Sequence, residues 1–190
     1  MVRPFWMLWL MLACMVAHGV LHWLGMFAFV WIVDFPLAGC TLYLSYRWGF
    51  MRSFQVSLLA VLHISFAWLS LAMLLYAVQS IVFFTSGSLI LGLAPLHALA
   101  IGFFSGMILA MASRVTLGHS GRPLQLDRFT WLLFLAFQAT AAIRILADII
   151  PAIAPIFYAA AALVWLVCFG MWAIKFSPIY WRARVDGKAG

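Results

Sequence analysis

The sequence predicts an all-α integral membrane protein, a six-transmembrane-helix bundle with both termini in the cytoplasm. Three observations support this fold class. The 190 residues are 68% hydrophobic and only 8% charged, whereas a soluble domain carries about 25% charged residues. Apolar runs recur at the length of about 20 residues that a helix needs to cross a bilayer. All the Lys and Arg residues except Arg144 fall on one side of a six-span arrangement.

Each predicted span is an apolar run bounded by polar, charged or turn-forming residues. The fourth span begins at Pro95, which suits the first turn of a helix, and the turn-forming residues 85–88 precede it. Short loops leave no room for a second domain, so residues 1–190 form a single domain. The spans lie at about 4–28, 30–47, 54–79, 94–116, 129–147 and 153–176.

The distribution of charge predicts the orientation of the bundle. The loops after the first, third and fifth spans contain no Lys or Arg, and Asp34 and Asp148 lie there. Because Lys and Arg are enriched in cytoplasmic loops, both termini are predicted to be cytoplasmic. In a soluble protein, a net charge of +7 would suggest nucleic-acid binding. Here it marks one membrane face, and we expect the lipid bilayer as partner and no nucleic acid.

Arg144 is the one basic residue inside a predicted span. An Arg at such a depth costs about 2.5–3.5 kcal/mol on insertion scales, so it needs a partner. Asp148 lies four residues further on, on the same helix face. Two interpretations follow. Arg144 forms a structural ion pair with Asp148, or it holds an anionic ligand such as a haem propionate.

The five histidines are the candidate metal ligands. At a rise of ~1.5 Å per residue, His18, His22 and His97 fall in the outer layer with Arg144, Asp34 and Asp148, and His63 and His119 fall in the inner layer. His18 and His22 share a helix face, so they could chelate one metal or be ordinary buried histidines. His97 lies in a first helical turn, where the helix dipole disfavours the imidazolium and favours the neutral, metal-binding imidazole.

Small residues recur along the fourth span. Ala98, Gly102, Gly106 and Ala110 are spaced four residues apart, a pattern that lets another helix approach closely. We therefore expect this span to be central. The cysteines all lie in apolar runs, where they are packing residues, with copper ligation as the alternative; an odd number is no disulfide framework. They are Cys14, Cys40 and Cys168.

Three segments resemble the NnrS family. The longest block resembles the family's signature and contains Leu96-His97-Ala98-Leu99, Gly102, Gly106-Met107 and Ser113-Arg114-Val115-Thr116-Leu117-Gly118-His119-Ser120-Gly121-Arg122-Pro123-Leu124. Two supporting blocks are similar to other parts of the family: Leu62-His63-Ile64-Ser65-Phe66-Ala67-Trp68-Leu69 and the ending Arg184-Val185-Asp186-Gly187-Lys188-Ala189-Gly190. The resemblance covers roughly Asp34 to Gly190.

Members of this family are bacterial inner-membrane proteins that contain haem and copper and are associated with denitrification and nitric-oxide resistance. The resemblance implies that His63, His97 and His119 are haem or copper ligands, and that Arg144 matches a family position. Family members are commonly about twice as long. The chain thus resembles the C-terminal half of the family members. A second copy of the chain in a homodimer, or a second half-protein, is therefore a candidate partner.

The expected function is that of a haem-binding, multi-pass inner-membrane protein linked to nitric-oxide stress or denitrification, with no defined reaction. Copper is the second candidate cofactor, and its ligand candidates include His18 and His22. Two alternatives stay open: a cofactor-free membrane transporter, and a non-catalytic assembly partner of a larger membrane complex. The sequence contains no nucleophile triad, P-loop or CxxC motif, so an acid–base enzyme is not expected.

Overall fold

The computed structural model describes residues 4–187, and the regular secondary structure in this part of the chain is helical, without a β-strand. The all-α prediction is therefore confirmed for the described residues. Arg3 and Lys188, two of the residues used to orient the bundle, lie outside them. The helices are α1 (Phe5–Trp23), α2 (Trp31–Arg47), α3 (Phe50–Ser53), α4 (Ser57–Ser86), α5 (Ala94–His97), α6 (Gly106–His119), α7 (Arg128–Ile149) and α8 (Ala154–Tyr180).

Five helical segments are long and apolar enough to cross a membrane, with mean hydropathies between 1.6 and 2.2. One of them is continuous from α5 to α6, because the π-helix Ala98–Ser105 joins these two helices. The remaining predicted span is α2. It has 17 residues, and it carries Asp34 and Pro36 in its first two turns. The five segments are Phe5–Trp23, Ser57–Ser86, Ala94–His119, Arg128–Ile149 and Pro151–Tyr180.

The largest boundary difference lies in the third predicted span. We expected it to end near Gln79, but α4 continues to Ser86, where Gly87 ends the helix with a φ of 69°. The hydroxyl of Ser80 explains the difference, because it donates to the carbonyl of Phe27 at 2.7 Å. Ser80 therefore joins α4 to the connection between α1 and α2, and this polar residue does not interrupt the helix.

Helix α4 is the centre of the bundle. It packs against α2, the π-helix, α6 and α7. The fourth span, which the sequence predicted to be central, packs beside it and contacts α4, α7 and α8. Buried hydroxyls join α4 to α2, since Ser70 Oγ donates to Thr41 Oγ1 at 2.8 Å. Such interhelical hydrogen bonds stabilise contacts between apolar helices, where lipid competes for apolar surface.

The fourth span packs closely on α4, as its four-residue spacing of small residues predicts. Gly102 lies under the ring of Trp68, where a Cβ atom would come within 2.4 Å of Trp68 Cδ2. A Cβ atom at Gly106 would lie 2.8 Å from Ser65 Oγ and from Gln138 Nε2. At Gly102 a side chain would clash with the base of the Trp68 ring, so the absence of a side chain there allows the close approach of the two helices.

Asp127 joins the N-terminus of α7 to α8. Its Oδ1 accepts from Thr130 N at 2.9 Å and from Thr130 Oγ1 at 2.6 Å, and its Oδ2 accepts from Lys175 Nζ. Burial raises the pKa of Asp127, but the hydrogen bonds from Lys175 and Thr130 outweigh it and lower that pKa from 3.8 to about 2. This carboxylate is thus a helix cap and an ion-pair partner.

The lowered pKa predicts that Asp127 contributes to acid stability. Because its pKa is lower in the folded protein, the contribution is complete above about pH 4 and is lost as pH falls from 4 towards 2. Asp127→Asn keeps the cap but not the charge. We therefore expect the melting-temperature difference between wild type and Asp127→Asn, measured in detergent, to shrink between pH 5 and pH 3. A constant difference would contradict this assignment.

Candidate functional site

The six polar residues that were predicted to share one layer lie in two separate clusters. We call them the His97 cluster and the His18 cluster. Helices α5, α7 and α8 supply the first, and α1, α2 and α4 supply the second. The His97 cluster contains His97, Arg144, Asp148 and Tyr158, and the His18 cluster contains His18, His22, Asp34 and Tyr76.

The His97 cluster is a closed ring of polar contacts. His97 Nδ1 lies 2.5 Å from Asp148 Oδ2, and Arg144 Nη2 lies 3.0 Å from His97 Nε2. Tyr158 donates its hydroxyl to Asp148 Oδ1 at 2.9 Å. The ring of Tyr158 also lies beneath the Arg144 guanidinium, with Cζ 4.2 Å from the ring centroid. Each of the four side chains therefore contacts two others.

These contacts determine the tautomer of His97. A guanidinium has only N–H donors, so His97 Nε2 must accept the hydrogen bond from Arg144. The proton of the neutral imidazole then sits on Nδ1 and is donated to Asp148. Carboxylates hold metal-binding histidines in this way, with the other ring nitrogen left as the ligand atom. In this structure Arg144 covers that atom.

Arg144 and Asp148 do not form the direct ion pair that their spacing allowed. Among the described residues, Asp148 is paired with His97 at 2.5 Å, and the imidazole lies between the guanidinium and the carboxylate. The sequence placed these three residues in one layer. It could not show the insertion of His97, because depth along a helix does not give the rotation of the helix.

A cavity of about 330 Å³ opens beside His97 and Arg144. Its walls are apolar on the side of α8, and its polar lining comes from His97, Arg144 and Thr140. Thr140 is 1% exposed, and its hydroxyl has no hydrogen-bond partner in the described part of the chain. Ligand sites in proteins are commonly cavities of 300–1,000 Å³ with a few convergent polar groups.

The His18 cluster contains a second Asp–His pair. His18 Nδ1 lies 2.7 Å from Asp34 Oδ1, and Asp34 is fully buried. The His18 and His22 ring centroids are 4.4 Å apart, and the Tyr76 ring packs edge-on against both. His22 and Tyr76 also line a cavity of about 380 Å³ that extends to Pro95. The i, i+4 spacing thus brings the two rings together.

The predicted inner pair, His63 and His119, is not brought together. His63 is buried on α4, with its ring edge-on to Phe50 at 6.3 Å between centroids. His119 ends α6 and lines a separate cavity of about 400 Å³ with Tyr180 and Arg182. No hydrogen bond or ring contact joins the two histidines within residues 4–187. Each therefore has its own surroundings.

Comparison with known protein families matches residues 1–184 to the family described as NnrS protein. The chain belongs to the NnrS family. The match begins at residue 1, so the family relationship reaches further towards the N-terminus than the segment from Asp34 in which we saw the resemblance. No curated protein and no solved structure matches the chain.

The NnrS-family chain holds no group of three or more His, Cys, Asp or Glu side chains arranged for a metal ion among the described residues. Its three cysteines are buried free thiols. Two tyrosines belong to the clusters and were missed by sequence reasoning. Tyr76 and Tyr158 lie in apolar runs, where a tyrosine usually indicates packing. Only the fold shows that the Tyr76 ring packs against His18 and His22 and that Tyr158 contacts Asp148 and Arg144.

Proposed function

We propose that this NnrS-family protein binds haem through His97 within the membrane and takes part in the response to nitric oxide. One observation supports this most strongly: Asp148 and Arg144 hold His97 as a neutral imidazole with its proton on Nδ1. A neutral imidazole with one nitrogen held by a carboxylate is the usual form of a metal-binding histidine. Haem iron is commonly held by such a residue.

The residues around His97 fit a haem with one rearrangement. Ligation through Nε2 requires Arg144 to release that nitrogen, to which it now donates at 3.0 Å. A guanidinium pairs well with carboxylates, so the released Arg144 suits a haem propionate. The unpartnered hydroxyl of Thr140 in the cavity wall is a second donor for a bound group. A bound haem supplies the iron for redox or gas-binding chemistry, and these side chains hold and orient it.

Copper is the second proposed cofactor, and the His18 cluster is where we place it. Imidazole is a common copper ligand. Asp34 is hydrogen-bonded to Nδ1 of His18, so this contact leaves Nε2 available as the ligand atom. The neighbouring His22 ring is the candidate second ligand, and the 380 Å³ cavity provides room for further ligands. The family resemblance also implies His63 and His119 as ligands, and both stay predictions.

We further propose that α2 also crosses the membrane, which raises the number of spans from five to six. The protein is then a multi-pass protein of the bacterial inner membrane. The 17 residues of α2 meet the lower limit for a spanning helix, which is about 17 residues. Both termini are then cytoplasmic, because Arg47, Arg52, Arg122 and Arg128 lie on one face. A second copy or a second half-protein stays a predicted partner.

Haem titration into the purified full-length protein tests His97 directly. The wild-type protein is compared with His97→Ala and with His119→Ala, which removes the histidine at the other end of the same membrane span. We expect the Soret band of bound haem to be lost in His97→Ala and retained in His119→Ala. Melting temperatures of the apo-proteins show whether both variants are folded.

Two results would contradict the assignment of His97. One is an unchanged Soret band in folded His97→Ala, and the other is a loss confined to His119→Ala. Substrate flux into liposomes that depends on Arg144 and not on His97 would favour the cofactor-free transporter. Wild-type nitric-oxide tolerance in cells that express a His63→Ala, His97→Ala and His119→Ala triple variant would favour the assembly partner.

A further inference from the structure

The C-terminal segment after α8 folds back onto the end of α6. Val185 N donates to Ser120 O at 3.0 Å. Asp186 packs on Gly121, where a Cβ atom would lie 2.7 Å from Asp186 Cγ and where φ is 72°. The segment is therefore attached to the bundle through its backbone and through a close contact that requires glycine.

The attached segment forms one wall of an open cavity of about 400 Å³ between α6, α8 and the C-terminal segment. Its polar lining includes His119, Ser120, Arg182 and Arg184. Asp186 holds the Arg184 guanidinium through two hydrogen bonds, at 2.9 Å from Nε and 2.6 Å from Nη2. Arg184 is therefore already positioned, and its Nη1 is not used by either bond.

Among residues 4–187, cationic groups outnumber acidic groups around this cavity. Arg182 and Arg184 line it, and Asp186 pairs with Arg184. The site therefore has an excess of N–H donors and positive charge, which matches the oxygens of a phosphate group.

Aromatic side chains place the cavity at the level of lipid headgroups. Tyr180 and Trp181 end the apolar run of α8 and are 63% and 81% exposed. Tyr and Trp are enriched at the interface between membrane and water. The Tyr180 hydroxyl lies 2.6 Å from Thr116 Oγ1, so this ring is held at the cavity edge.

We infer that this cavity binds the phosphate group of an anionic lipid headgroup. Basic pockets between helices on the cytoplasmic side are suited to such headgroups. The site is separate from the His97 cluster, because it lies at the opposite end of the fourth span from His97. The ligand chemistry is a phosphate ester, and the acyl chains lie along the apolar surface of α6 and α8.

Thermal melting of the full-length protein in detergent tests this site. We compare added phosphatidylglycerol with phosphatidylcholine and with inorganic phosphate, for wild type and for Arg182→Gln/Arg184→Gln. The control is Arg47→Gln/Arg52→Gln, which removes the same charge elsewhere on the same face. We expect phosphatidylglycerol to raise the wild-type melting temperature by about 2–5 °C through preferential binding to the folded state.

The rise should persist in the control and disappear in Arg182→Gln/Arg184→Gln. Equal losses in both double variants would overturn the proposal, because they would indicate a general charge effect. An equal rise with phosphatidylcholine would overturn the requirement for an anionic lipid. An equal rise with inorganic phosphate would overturn the lipid as the source of the phosphate group. If Arg182→Gln/Arg184→Gln is unfolded, Arg182→Lys/Arg184→Lys should retain the rise.

Discussion

Gly102→Ala should destabilise the protein strongly, by roughly 1–3 kcal/mol or more, the cost of overpacking a close contact. The new Cβ would lie 2.4 Å from Trp68 Cδ2 and 2.5 Å from Trp68 Cγ. These atoms are at the base of a ring that packs in the core, so the ring cannot swing away as the end of a flexible side chain can. The fourth span would have to move away from α4. We expect a lower melting temperature and a smaller monodisperse fraction after purification.

Gly19→Ala is the matched control. Gly19 is also a helical glycine in an apolar span, but a Cβ atom there meets nothing within 4 Å. Since Ala is the better helix former, this variant should be neutral or slightly stabilising. Equal melting temperatures for Gly19→Ala and Gly102→Ala would contradict the close packing of the fourth span on α4.

Asp148→Asn should weaken haem binding by about 10–100-fold, the usual effect of removing a group that orients a metal-binding histidine. Asparagine keeps the shape of the side chain, but it replaces the carboxylate that accepts from His97 Nδ1 at 2.5 Å. The amide can donate to Nδ1 as well as accept from it, so the imidazole is no longer held in one tautomer. Haem titration followed at the Soret band measures the change.

Asp127→Asn is the control for this substitution. It removes the same charge in a carboxylate that contacts Thr130 and Lys175, at the other end of α7. Its haem affinity should match that of the wild type. Tyr158→Phe should give a smaller loss than Asp148→Asn, because it removes only the donor to Asp148 Oδ1. Wild-type affinity in Asp148→Asn would contradict the orienting role of Asp148.

Much of the fold could be predicted from hydrophobicity and charge. The apolar runs and glycine spacing indicated the helices and the close approach at Gly102, because both depend on local sequence. The extension of α4 beyond Gln79 could not be predicted, since it depends on a contact between Ser80 and the distant Phe27. The π-helix after His97 also has no local sequence signal that we recognised.

The candidate site was predicted in part. Depth along each helix placed His18, His97 and Arg144 in one outer layer, because the rise per residue is constant. The rotation of each helix depends on packing, so the sequence did not show which acid meets which histidine. The structure pairs Asp34 with His18 and Asp148 with His97. It also shows the Tyr158 ring beneath Arg144, a contact that the spacing of residues along the sequence does not indicate.

The reduced-minus-oxidised absorption spectrum of the full-length protein, purified from membranes of haem-supplied cells, tests the central claim most directly. We propose that His97, held by Asp148 and released by Arg144, is a haem ligand. This predicts a Soret band that shifts on reduction, with an intensity that corresponds to about one haem per chain. A folded, monodisperse protein whose spectrum shows no Soret band would contradict the claim.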